Sequence, residues 1–119
     1  MNHLEKEILG CFLKDNDLIN ETNISVNHFE SESSKLLYQS MLVLSSQGKV
    51  IDQVTLLAEN YEYIQRLGGV GFITELKATG NVDHFESYEK QFIEQFKKRE
   101  SKNVVTNWLS KDEKIESLI

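Results

Sequence analysis

Residues 33–46, "SSKLLYQSMLVLSS", limit the possible folds more than any other stretch of this chain. Leu36, Leu37, Tyr38, Met41, Leu42, Val43 and Leu44 cover most of the circumference of a helix. A helix that apolar is buried on several sides, so the spacing predicts a central helix with others packed around it. It stops abruptly. In "SSQGKVIDQVTLL", residues 45–57, Gly48 can take the left-handed conformation that ends a helix. Asp52 can accept hydrogen bonds from the free amides of the next one. With the apolar Val50 and Ile51 in so short a connection, the helix begun by "VTLLAENY" is expected to lie back against its predecessor. The chain contains no proline, where average usage would supply about six, so nothing removes an amide from a long helix.

Other segments carry the same helical period. "HLEKEILGCFLK" places Leu4, Ile8, Cys11 and Phe12 on one face, widened by Leu9 and Leu13, with Glu5, Lys6 and Glu7 opposite. Asp15 can cap a short second helix carrying Leu18 and Ile19. In the connector "ISVNHF", Ile24, Val26 and Phe29 read as pegs into a core. Gly68 and Gly69 break the chain before a short amphipathic helix with Phe72, Ile73 and Leu76, which Gly80 ends. "GGVG" lacks the spacing of a dinucleotide fingerprint, and the lysine and hydroxyl of a P-loop, so it reads as a structural turn. Tyr61 and Tyr63, on either side of Glu62, read as packing residues.

The last segment differs in kind. Asp83 can cap a helix with Glu86 as its reciprocal partner, and Phe85, Tyr88, Phe92 and Phe96 recur every three or four residues. "KKRESKN" then interrupts the apolar stripe, and Val104, Val105, Trp108 and Leu109 resume it. This predicts a globular helical bundle over residues 1–82 and a projecting arm over 83–119. The arm's first helix would span about 84–109, roughly 39 Å at 1.5 Å per residue. "SKDE", residues 110–113, has the form of a capping box and predicts a second helix starting near 111. That helix is too short to match the first, as in a fragment ending partway through a helical hairpin. The fold class expected is all-α.

Net charge is −6, unevenly placed: residues 1–89 carry 6 basic and 14 acidic groups, and residues 90–119 carry 7 and 5. An acidic body repels phosphate backbones, so direct DNA binding is expected to be weak or absent. The mildly basic end reads either as a solvated face or as a contact for an acidic partner. The single cysteine, Cys11, makes no internal disulfide, and with no signal peptide in view the expected compartment is the cytoplasm. Cys11 reads as a small core residue. No apolar run approaches the 18 or so residues of a membrane span. His3, His28 and His84 are widely separated and lack partners at metal-ligand spacing. No catalytic, cofactor-binding or metal residue is assigned, and the expected function is contact.

The order of these features resembles the N-terminal domain of DnaB-like replicative DNA helicases. "EKEILGCFL" (5–13) resembles the family's opening "E-x-x-x-L-G-x-x-L" helix, and "DNDLIN" (15–20) the segment after it. "HF" (28–29) sits at the family's "S-x-x-x-F" connector. "SKLLYQSMLVLSSQGKVIDQVTLL" (34–57) resembles the central helix, glycine turn and "I-D-x-V-T-L" start. "LGGVGFITEL" (67–76) resembles the "G-G-x-x-Y-L-x-x-L" turn, and "FESYEKQFIEQFKKRE" (85–100) the long hairpin helix, with Arg99 at its arginine. Val50 replaces a usual proline and Phe72 a usual tyrosine.

The resemblance implies an N-terminal collar domain of a hexameric, ATP-driven helicase. Its P-loop motor domain, where ATP and magnesium would act, is not in this sequence. It implies self-association through the helical arms into dimers or a hexameric collar, docking of primase, and possible contact with a helicase loader. Carried onto this chain, Phe85, Tyr88, Phe92 and Phe96 lie on the first hairpin helix. Arg99, Val104, Val105 and Trp108 lie on its self-associating or partner-facing part. A stand-alone helical adaptor or inhibitor that mimics this domain is the alternative.

Overall fold

The computed structural model describes the backbone of residues 1–118 and the side chains of residues 1–102. The described backbone is all-α, with no strand. Helix α1 runs His3–Lys14, α2 Leu18–Glu21, α3 Glu32–Ser46, α4 Gln53–Glu59, α5 Tyr61–Leu67, α6 Gly69–Thr79 and α7 Phe85–Leu118. Short 3₁₀ turns at Val26–His28 and Val82–His84 precede α3 and α7.

The middle of the body is α1, not α3. Every residue from Ile8 to Leu13 is buried, and α1 meets α2, α3, α6 and α7. Helix α3 buries Leu37, Tyr38, Met41 and Leu44, but Leu36 and Val43 remain 40% and 39% exposed. Apolar residues all round α3 pointed to enclosure, yet small residues decide which helix is approached most closely. At Gly10 a Cβ would overlap the Leu76 carbonyl oxygen and lie 2.7 Å from the Gly80 nitrogen. A Cβ on Gly80 would likewise overlap the Gly10 backbone. Gly80 has an ordinary φ of −68°, so the crossing of α1 with the end of α6 requires this glycine, not the turn.

The corner between α3 and α4 is closed by local hydrogen bonds. Gly48 sits at φ +69°, with the Lys49 amide on the Leu44 carbonyl and the Gly48 amide on that of Ser45, both at 3.0 Å. This is the paired closure of a left-handed helix end. Asp52 Oδ1 accepts from the Val54 and Thr55 amides at 2.9 Å, and the Thr55 hydroxyl accepts from the Asp52 amide at 2.9 Å. Asn16 then clamps the corner to the body. Its side chain accepts from the Ile51 amide at 2.9 Å and donates to the carbonyls of Ile51 (3.1 Å) and Phe12 (2.8 Å). Gly68 and Gly69, both at positive φ, join α5 to α6.

Glu5, expected on the outer face of α1, is instead buried. Its carboxylate accepts from the Asn2 amide (3.0 Å) and the Glu30 amide (3.0 Å), and from the Ser31 hydroxyl (3.3 Å). A carboxylate satisfied on several sides can be buried where an unpaired one could not. It ties the start of α1 to the approach of α3. The expected tyrosine packing divides: Tyr63 donates to the Ser33 carbonyl at 2.8 Å, whereas Tyr61 is 59% exposed. Asp83 falls inside a 3₁₀ turn, not at a helix cap.

Candidate functional site

Helix α7 is the one element that both enters the core and extends past it. Its root is held by an arc of aromatic rings. Phe85 packs on Phe12 at 5.4 Å, Phe12 on Tyr38 at 5.5 Å, Tyr38 on Phe29 at 5.1 Å and Phe29 on Phe92 at 4.9 Å. The Tyr38 hydroxyl donates to the Ile24 carbonyl at 2.8 Å. Four separate parts of the chain thus meet in one arc, and tilted ring pairs add to their burial energy. Phe85 and Phe92 are 5% and 2% exposed. Both were candidates for an interface, and both face inward, because the aromatic stripe serves the body before it can serve a partner.

Tyr88 is half-buried, with its ring edge-on to His84 at 6.0 Å. Phe96 is also half-buried and meets the His28 ring edge-on at 4.6 Å. Arg99, assigned to the partner-facing part, is turned back to the body. It donates to the His28 carbonyl at 3.1 Å, lies 3.9 Å from a Glu30 carboxylate oxygen and stands over the Phe96 ring at 5.7 Å. The His28 Nδ1 accepts from the Ser25 amide at 2.8 Å. Burial, then the charges of Arg99 and Lys97, hold the His28 imidazole below its ordinary value.

After Arg99 the helix is exposed at Glu100, Ser101 and Lys102. Its backbone continues unbroken to Leu118, 34 residues in all. The second helix expected near residue 111 is therefore not separate. "SKDE" contains neither glycine nor proline, and a capping box forms only where the chain has already left the helix. Val104, Val105 and Trp108 lie outside the described side chains.

Sequence reasoning missed Asn16 and Glu5, since each acts on residues distant in the chain. Cys11 is buried against α6 and the Asn81 backbone, and burial pushes its thiol up to about 11. Among the described residues no group of three histidine, cysteine or acidic side chains gathers at metal-binding range, and no helix is long and apolar enough to cross a membrane.

Comparison with known proteins adds two findings. A family model described as DnaB-like helicase N terminal domain matches residues 1–95. A solved structure of a DnaB-like replicative helicase and its interactions with primase superposes with a TM-score of 0.82 at 26% identity. The match covers 92% of this chain and 27% of that one, so the chain spans about a quarter of the helicase's length. Comparison with curated proteins gives no match.

Proposed function

The chain belongs to the family of DnaB-like helicase N-terminal domains, and from that membership we propose that it is the collar domain through which a replicative helicase assembles and receives primase. In this reading the domain has no catalytic activity alone. ATP and magnesium serve the motor domain of the parent helicase, and unwinding takes place there. The body is a rigid mount, and α7 carries subunit association into dimers or a hexameric collar. Primase is the expected partner, with a helicase loader as a further one, and the working compartment is the cytoplasm. Direct contact with DNA contributes little, because the body is acidic.

One observation carries this reading. Helix α7 is rooted by two buried phenylalanines and held to the body again at Arg99, and its backbone continues as helix to Leu118. A long helix rooted in the body and exposed at Glu100, Ser101 and Lys102 is suited to meeting another chain. The superposed helicase, whose structure concerns its interactions with primase, supports the choice of partner.

Titration calorimetry of the chain with the C-terminal domain of the cognate primase tests the docking claim. Binding with a dissociation constant of about 10 µM or tighter is expected. No heat at concentrations of about 100 µM would exclude primase as a direct partner of this domain.

A further inference from the structure

Residues 22–30 run beside α7 in the direction of the helix and are fastened to it at both ends. At the first end, a Glu89 carboxylate oxygen accepts from the Thr22 hydroxyl and, at 3.3 Å, from the Asn23 amide. At the last end, Arg99 holds the His28 carbonyl at 3.1 Å and stands 3.9 Å from Glu30. Between them Phe29 packs on Phe92, and His28 on Phe96. Glu89 and Arg99 are ten residues apart, about 15 Å along the helix.

The two fastenings differ in strength. The Glu89 end lies between Phe85 and Phe92, both in the core. At the Arg99 end the apolar support from α7 among the described residues is half-buried Phe96, and the Glu30 side chain is 64% exposed. An ion pair in that setting is screened by salt and contributes little by itself. Local opening begins where few buried apolar contacts hold an element.

We propose that residues 22–30 form a strap with a permanent fastening at Glu89 and a releasable latch at Arg99, and that the latch sets the direction in which the rest of α7 leaves the body. Closed, Phe96 and Arg99 hold the helix against the Val26–His28 turn. Open, α7 remains rooted by Phe85 and Phe92 and swings about that root as an intact helix. The latch belongs to this chain alone, so it stands or falls separately from any partner.

Electron spin resonance distances test this in the full chain. Labels go on Gln39→Cys and Ser101→Cys, both exposed positions, in a Cys11→Ala background. The otherwise unaltered chain should give one narrow distribution. Arg99→Gln should widen it about twofold, and Glu30→Gln should widen it less, both without loss of helix by circular dichroism. Glu89→Ala should leave the width unchanged and lower the melting temperature. A broad distribution before substitution, an unchanged width in both Arg99→Gln and Glu30→Gln, or widening only with loss of helix would each overturn the latch.

Discussion

At Gly10 a single hydrogen decides how closely α1 can approach the end of α6. A methyl group there meets backbone on the facing element, which cannot rotate away as a side chain can. Gly10→Ala should therefore cost about 3 kcal/mol or more, read as a fall in the urea midpoint. Gly48→Ala, at a site with open space but positive φ, should cost only about 1 kcal/mol. Cys11 offers an independent check on the same crossing. Its thiol, pushed up to about 11 from an ordinary 9.0, should resist alkylation at pH 8 until the chain unfolds. The folded state keeps this proton longer than the unfolded state does. Its contribution to stability is thus full below about pH 9 and is lost as pH rises toward 11. Gly48 and Asp52 are legible because their partners lie within five residues. Asn16 and Glu5 are not, because a sequence does not say that their side chains reach backbone 35 and 25 residues away.

Helix α7 shows how a correct period can still mislead. The stripe of Phe85, Tyr88, Phe92 and Phe96 marks one face of a helix but not what that face meets. The aromatic arc turns Phe85 and Phe92 inward, and the strap claims Phe96 and Arg99. Phe92→Ala should cost about 3–5 kcal/mol, whereas Lys98→Ala, on the exposed face, should change the urea midpoint little. The His28 contact adds a pH dependence of defined sign. Its folded-state value lies below 6.5, so as pH falls the unfolded chain takes up this proton first. Its contribution is full above pH 6.5 and is lost as pH drops through the folded value. Protonating Nδ1 would also remove its bond from the Ser25 amide. Comparing urea midpoints at pH 7 and 5, the unsubstituted chain should lose more stability than His28→Gln. An equal loss in both would contradict a lowered His28 value in the folded chain.

Across the whole molecule, an acidic body carries a helix that outruns it. The all-α class and the family were legible because periodicity, caps and the G-x-x-I-D-x-V-T-L order are spread along the chain and agree with one another. The choice of α1 over α3 as the centre was not, because hydrophobicity counts apolar atoms while packing rewards the two glycines that let α1 and α6 touch. Continuity of α7 through residues 110–113 was hidden for a related reason: a capping motif is also a sequence a helix interior tolerates. The proposed function requires that the body mounts α7 and that α7 carries association. Sedimentation velocity over a wide concentration range, on the chain and on Trp108→Ala, puts that requirement to the test. The expected result is a sedimentation coefficient that rises with concentration, and a dimer about 30-fold weaker in Trp108→Ala, the effect of losing an interface anchor worth about 2 kcal/mol. A chain that remains monomeric at every concentration, or a dimer that Trp108→Ala leaves unchanged, would contradict it.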